Sequence, residues 1–370
     1  MTYVAATGVS RRTHGLWIAQ GAALLILAIL AGVIVGETLP LSTVAATFAN
    51  HLWNAGLNVD PIDAGIIWSY RLPRTLVAAA CGAGLALSGV VLQALVRNAL
   101  ADPYLLGVSA GAGAGATGAA AGGGAATADA AGGASGTAVG AVAVTILGVG
   151  GGLLGISGGA FIGAALAFAV VAMLARAAGG GSAQLVLAGI AGSQLFNALT
   201  SFLIAKSANA EQARGLMFWL LGNLSGVRWP DVVLAAPVTA IGFLICLWFA
   251  RAMDAFSFGV SSAASLGIAV RQVQVMLIGA VTLMTATMVS LVGSIGFVGL
   301  VIPHAMRFVV GPRHARLVPA SALAGAVFLI LADIASRMLI PGQVVPIGVV
   351  TALVGAPGFA MILVRNRRRI

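Results

Sequence analysis

The sequence predicts an all-α, polytopic membrane protein, and three observations carry that expectation. Of the 370 residues, 60% are hydrophobic and 8% charged, with a mean hydropathy of +1.07. A soluble domain carries about 25% charged residues, so this chain lacks the polar side chains to cover itself in water. Its apolar residues form continuous runs rather than the two-residue alternation of a β-barrel. Its 51 glycines suit a helical bundle, because small residues let helices approach where lipid supplies no hydrophobic drive.

The clearest run is Thr75–Val96, with Arg71 and Arg74 before it and Arg97-Asn98 behind it. At 1.5 Å of rise per residue such a run covers about 33 Å, roughly a bilayer core. A polar, arginine-bearing turn is therefore expected on each side of a membrane.

The other elements follow in order. Arg11 and Arg12 precede an apolar run, Gly15–Gly36, longer than the core of a signal peptide and read as a retained first span. Glu37–Tyr70 is polar and partly amphipathic and cannot cross. A third span leaves from Tyr104. The Gly/Ala-rich stretch 121–156 is an insertion of uncertain placement: Ala121–Gly136 reads as a flexible loop, and Thr137–Ile156 as re-entrant or peripheral. Further spans are expected at Gly158–Ala175, Gln184–Ala205, Asp231–Ala250, Val273–Val292, Gly296–Val310 (short), Leu317–Ser336 and Ile347–Val364. Glu211–Val227 is amphipathic and too short to cross alone. Arg251–Gln272 is the longest charged interruption between spans, and its Ser/Gly punctuation allows two short helices at the membrane face. Residues 1–370 thus form one membrane domain.

The net charge of +10 sits in short loops, where it fixes orientation; it does not indicate nucleic acid. With the N-terminus inside, twelve basic residues fall on inside turns, six fall outside, and Arg307 lies near an inner helix end. That bias favours ten crossings with both termini cytoplasmic. The outside set (Arg71, Arg74, Lys206, Arg214, Arg228 and Arg337) breaks the rule and asks for a reason.

Several functions lose support. Lys206, the single lysine, lacks the glycines of a phosphate-binding loop, so ATP-driven work needs a separate chain. An ion-coupled carrier usually keeps ionisable groups deep in its spans. Here the candidate is Asp333, four residues from Arg337, and an i,i+4 ion pair explains it more simply. Cys81 and Cys246 lie inside apolar runs, and His14, His51, His304 and His314 are scattered, so no disulfide, metal or cofactor is indicated. No nucleophile–base pair or paired carboxylates suggest catalysis.

The motifs RLPRTLVAAACGAGLALSGVVLQ, RNALADPYLLGVSAGAGAG, LVLAGIAG, FWLLGNLSG, SLGIAV, GSIGFVGLVIPHAMR, LADIASR and PIGVVTALVGAPGF occur in the order seen in FecCD-type permeases. The chain resembles these membrane subunits of type II ATP-binding-cassette importers from about Arg71 onward. The resemblance implies ten helices per subunit and a homodimer around a central pathway in the inner membrane. It also implies two cytoplasmic ATPase subunits and a periplasmic binding protein. The implied cargo is a metal chelate: iron-siderophore first, then haem, then cobalamin.

It further implies roles by position. Arg71, Arg74 and Arg337 match arginines that meet carboxylates of the binding protein; simple interfacial anchoring is the other reading. Asn98 and Leu100 match one half of a cytoplasmic gate, with Ala99 where the family has proline, and Ser182 and Ala183 match the other half. Ser265, Leu266 and Gly267 match the segment that couples to the ATPase, against an ordinary solvated loop. Arg214 matches a basic position at the pathway entrance, or merely anchors its short helix. The rival functions are an ion-coupled secondary transporter and a membrane scaffold.

Overall fold

A computed structural model describes residues 11–35, 39–106, 108–112, 114, 156–179, 182–206 and 210–367. The named elements there are α1 (Arg11–Ile34), α2 (Leu41–Trp53), α3 (Pro61–Gly65), a π-helical turn (Ile66–Arg71), α4 (Leu72–Val96) and a 3₁₀ turn (Pro103–Leu106). They continue with α5 (Ile156–Ala177), α6 (Ser182–Lys206), α7 (Ala210–Leu220), α8 (Trp229–Trp248), α9 (Ala250–Phe256) and α10 (Val260–Ser265). The last four are α11 (Val270–Val292), α12 (Val298–Val310), α13 (His314–Met338) and α14 (Ile347–Arg367). No β-strand occurs among the described residues; one isolated bridge joins Ile340 and Gln343.

Among the described residues, seven stretches are long and apolar enough to cross a membrane, namely α1, α3 through α4, α5, α6, α8, α11 and α13; α12 and α14 are shorter apolar helices. Each expected span except the third appears among these. Of the third span the described residues include the 3₁₀ turn and helical residues 108–112 and 114. The insertion assigned to 121–156 lies outside the described residues, apart from Ile156, which opens α5.

One expectation needs correction. The turn placed at Arg71–Arg74 is helical: α3, the π turn and α4 form one continuous 36-residue span, Pro61–Val96. Pro73 lacks the N–H that a helix needs four residues after Ser69. The π turn absorbs this by widening the ladder, the Leu72 N–H donating to the Ile67 carbonyl five residues back.

α4 is the hub, packing against α1, α8, α11, α12 and α13 and buried along most of its length. Its small residues permit this. A Cβ at Gly82 would collide with the Gly325 carbonyl of α13, and one at Gly89 with the Gly299 carbonyl of α12. Polar contacts set the register: Thr285 of α11 donates to the Ser88 hydroxyl at 3.2 Å, and Thr239 of α8 to the Ala80 carbonyl at 3.1 Å. By contrast α1 and α8 turn large apolar side chains outward, among them Leu27 and Val233, as lipid-facing helices do.

Candidate functional site

At one end of the bundle, Arg74 and Arg337 converge on the Asp333 carboxylate, and Arg71 lies with Arg337 at the end of α1. Arg74 approaches Asp333 Oδ1 with Nε at 2.9 Å and Nη2 at 2.8 Å, both side chains only 2% exposed. Arg337 takes the other oxygen, Oδ2, at 3.1 Å, the i,i+4 pair expected from sequence. Arg337 also donates to the carbonyls of Val35 at 2.9 Å and Gly32 at 3.0 Å, and Arg71 to those of Val33 and Ile34 at 3.2 Å each. The last carbonyls of a helix have no intrahelical donor and carry partial negative charge. These two arginines thus cap α1 and tie it to α4 and α13.

Arg71 and Arg74 are buried within the chain rather than exposed at a turn. Each finds acceptors inside the chain, and a buried guanidinium with satisfied donors has little reason to reach outward. Two guanidinium groups, those of Arg74 and Arg337, share the Asp333 carboxylate, and with Arg71 on the neighbouring α1 carbonyls the cluster keeps an excess of positive charge. Among the described residues, Arg228 before α8 is an exposed cation at this end, and Arg214 on α7 is exposed as well. Arg228 lies 5.0 Å from the Tyr70 ring centroid, and Tyr70 accepts from Arg74 Nη1 at 3.3 Å. A ring cluster of Phe48, His51, Trp68 and Trp229 lies beside them, with the Trp229 indole donating to the Trp68 carbonyl at 3.0 Å. Aromatic belts of this kind mark a membrane–water interface.

Deeper in the bundle three breaks in the helices meet. From the Thr285–Ser88 contact, α11 runs about 10 Å further to Val292, whereas α4 runs about 24 Å to Leu72. α11 therefore stops well inside the length of α4. The chain after it, Gly293–Phe297, abuts the turn after α7 and the start of α14. Asn223 donates to the Val292 carbonyl at 2.8 Å, Ile347 to Gly222 at 2.9 Å and Gly348 to Leu221 at 3.1 Å. A side chain at Gly222 or Gly348 would strike the neighbouring backbone, and Gly222 and Gly293 have positive φ, so glycine is required at this crossing. Tyr104 satisfies the exposed peptide: its hydroxyl donates to the Ile295 carbonyl and accepts from the Ile295 N–H, both at 2.9 Å.

Irregular backbone at membrane depth is tolerated where protein or a watery cavity surrounds it. Both occur here. A cavity of about 400 Å³ is lined by Asp102, Tyr104, Ile190, Ser193, Gln194 and Phe297, together with Gly296 and Leu300. The Asp102 carboxylate accepts from the Tyr104 amide at 2.9 Å. Phe297 starts α12 with φ +70, a left-handed conformation that costs a bulky residue energy and often marks a working part of a fold.

At the opposite end α4 closes with Arg97 at φ +54. Two hydrogen bonds hold the turn around Ala99: the Asn98 side chain accepts from the Leu100 amide at 2.9 Å, and Ala101 donates to the Asn98 carbonyl at 3.1 Å. Asn98 and Leu100 are exposed. Ser182 and Ala183 form the first turn of α6; Ala183 is exposed, and the Ser182 side chain lies outside the described residues. The 251–272 stretch forms two short helices, α9 and α10, as its punctuation suggested. Ser265 ends α10, Leu266 is 71% exposed and Gly267 turns the chain with φ +80. This segment is anchored: Asp254 Oδ1 accepts from the His314 backbone amide at 2.9 Å and lies 2.7 Å from His314 Nδ1. A carboxylate from α9 therefore caps the positive end of α13.

The sequence reading missed that cap, the Tyr104–Ile295 contact and a further link between α4 and α12. Gln93 donates to the Gly299 and Leu300 carbonyls at 3.2 Å each and accepts from Arg307. A glutamine inside an apolar run was the available signal, because buried polar groups need partners.

Comparison with known proteins agrees with this architecture. Residues 23–365 match the model of the FecCD transport family. The chain is 40% identical over 304 residues to the cobalamin import system permease of Halobacterium salinarum, covering 82% of this chain and 74% of that protein. It is 34% identical over 302 residues to the Fe(3+) dicitrate transport system permease FecD of Escherichia coli, covering 82% and 86%. A solved inward-facing ABC transporter of metal-chelate type superposes with a TM-score of 0.76 at 28% identity, covering 95% of this chain and 99% of that one. With the family model spanning nearly its whole length, the chain belongs to the FecCD transport family, the permease subunits of ABC importers.

Proposed function

We propose that the chain forms, as a homodimer, the pathway by which a metal chelate is imported, driven by two cytoplasmic ATPase subunits and fed by a periplasmic binding protein. The carrying observation is the meeting of three helix breaks beside the cavity at Asp102, Ser193 and Gln194. A wall of this kind presents backbone and polar groups to a solute without exposing them to lipid. One chain's cavity of about 400 Å³ lies toward the small end of ligand sites, which suits a pathway shared by two copies. The names of the relatives support the cargo class: one carries cobalamin, the other ferric dicitrate.

In this reading the Arg97 end faces the cytoplasm in the inner membrane, with both termini, and the Arg71 end faces the periplasm. Asn98, Leu100, Ser182 and Ala183 close the inner mouth, and Ser265, Leu266 and Gly267 enter the ATPase. Exposed Leu266 supplies the apolar contact there. The binding protein docks on the arginine-bearing end. Arg71, Arg74 and Arg337 contribute a local positive field, and exposed Arg214 and Arg228 steer approach and frame the entrance.

The test is reconstitution in vesicles with the two partner subunits. Uptake of a ferric chelate or cobalamin is expected to need ATP, the ATPase and the binding protein together. Arg214→Glu with Arg228→Glu is expected to weaken binding-protein association about tenfold at low salt, with less effect at high salt. Uptake driven by a proton gradient without the ATPase would favour the carrier reading instead.

A further inference from the structure

A second groove lies on the flank of the bundle, away from the cavity above. It has a volume of about 690 Å³ and runs between α1 on one side and the end of α12 with the first half of α13 on the other. Its mouth holds Arg313 and Arg316, exposed and half-exposed respectively, and Trp17. Neither arginine has an ion-pair partner among the described residues, and no carboxylate lines the groove. Past the mouth the walls are apolar, with Leu24, Leu323 and Val327. Small residues create the space: Gly21 lies against Leu323, and Ala320 faces the opening.

Two features identify the occupant. The outer wall belongs to α1, whose Ile18 and Leu24 are each 54% exposed, so the groove is continuous with the lipid-facing surface. Its depth from Arg316 to Val327 is 11 residues of helix, about 16 Å, which is one leaflet of a bilayer core about 30 Å thick. Unpaired guanidinium groups at the headgroup level over an apolar trough one leaflet deep complement a phosphate with an acyl chain below it. An indole at the mouth fits the same interface.

We propose that this groove holds one anionic phospholipid, its phosphate on Arg313 and Arg316 and an acyl chain along α13 toward Val327. The leaflet is the one on the Arg97 side; naming it the inner leaflet rests on the orientation proposed above, but the lipid site does not. The bound lipid wedges α1 against the end of α13 that Asp254 caps.

Native mass spectrometry of the purified full chain, titrated with phosphatidylglycerol and phosphatidylcholine of matched chains, tests the site. One phosphatidylglycerol retained per chain is expected, with a preference of about thirtyfold, the factor two basic residues contribute at an anionic surface. Arg313→Gln with Arg316→Gln should abolish the preference, while Arg313→Lys with Arg316→Lys should keep most of it. Ala320→Phe should reduce retention of both lipids with the arginines intact. Unchanged melting temperatures show that each variant folds. A preference that survives the double Gln variant overturns the proposal. So does competition by soluble glycerol phosphate as effective as that of the lipid, which would assign the arginines to a free phosphate. Retention of a second copy of the chain or of a protein partner on this face would overturn it as well. None of these outcomes depends on transport.

Discussion

Asp333 illustrates how much a single side chain can hold in an apolar bundle. Both its oxygens are occupied, one by Arg74 and one by Arg337, and Arg337 and Arg71 continue to the last carbonyls of α1. Taking a carboxylate out of water is costly, and the cost is offset only where the geometry is good and the remaining hydrogen bonds are made. Here they are made, so the sensitive step is removal of one partner. Asp333→Asn would leave two guanidinium groups without a counter-charge among buried neighbours. A loss of about 3–5 kcal/mol in stability is expected, as for other broken buried pairs. Thermal unfolding of the purified variant in detergent measures it; a melting temperature equal to that of the parent would show that the cluster carries no structural weight.

Between helices, contact depends on residues too small to advertise themselves. α4 and α13 touch backbone to backbone where Gly82 meets Gly325, a distance available to glycine alone. Gly82→Leu is expected to force the pair apart and lower stability by about 1–3 kcal/mol, the usual cost of overpacking, with α13 and its Asp333 displaced. Cross-linking yield between cysteines placed on the two helices would report the separation, and an unaltered yield would contradict the close packing. Spans such as α5, α11 and α13 were legible in the sequence because hydropathy is a local property of a run. The Asp333–Arg337 pair was legible for the same reason, four residues being one helical turn. Arg74 reaching Asp333 across 259 residues was not, and the RLPR motif was therefore expected at an exposed turn. The eight ordered motifs made the family legible. They left unseen that Tyr104, Asn223 and Ile347 close the gaps around Gly293, since hydrogen bonds between distant breaks leave no periodic trace.

Across the whole molecule the two ends are joined by rigid rods. α13 carries Asp333 near one end and begins at His314, 19 residues or about 28 Å away; α4 carries Arg74 and ends at Arg97 in the same way. Both rods meet the α9–α10 segment, proposed above to couple to the ATPase, at their Arg97-side ends. The Arg97 guanidinium lies beside Gly259, and Asp254 holds the amide and ring of His314. A movement imposed on α9 and α10 by an ATPase would therefore pass to α13 through this carboxylate and the apolar packing around it, as a rigid-body displacement. Asp254→Ala removes a charged helix cap and the ring contact, together worth about 1–2 kcal/mol, or roughly tenfold in the population of the coupled state. The expected result in reconstituted vesicles is ATP hydrolysis near the parental rate with uptake per ATP reduced about tenfold. Asp254→Asn, which keeps an acceptor for the His314 amide, should recover part of that ratio. If hydrolysis and uptake fell together, Asp254 would be a general support of the fold. If neither changed, the link between α9 and α13 would have to run through the apolar packing of Met253 and Phe256 near Leu317 and Val318.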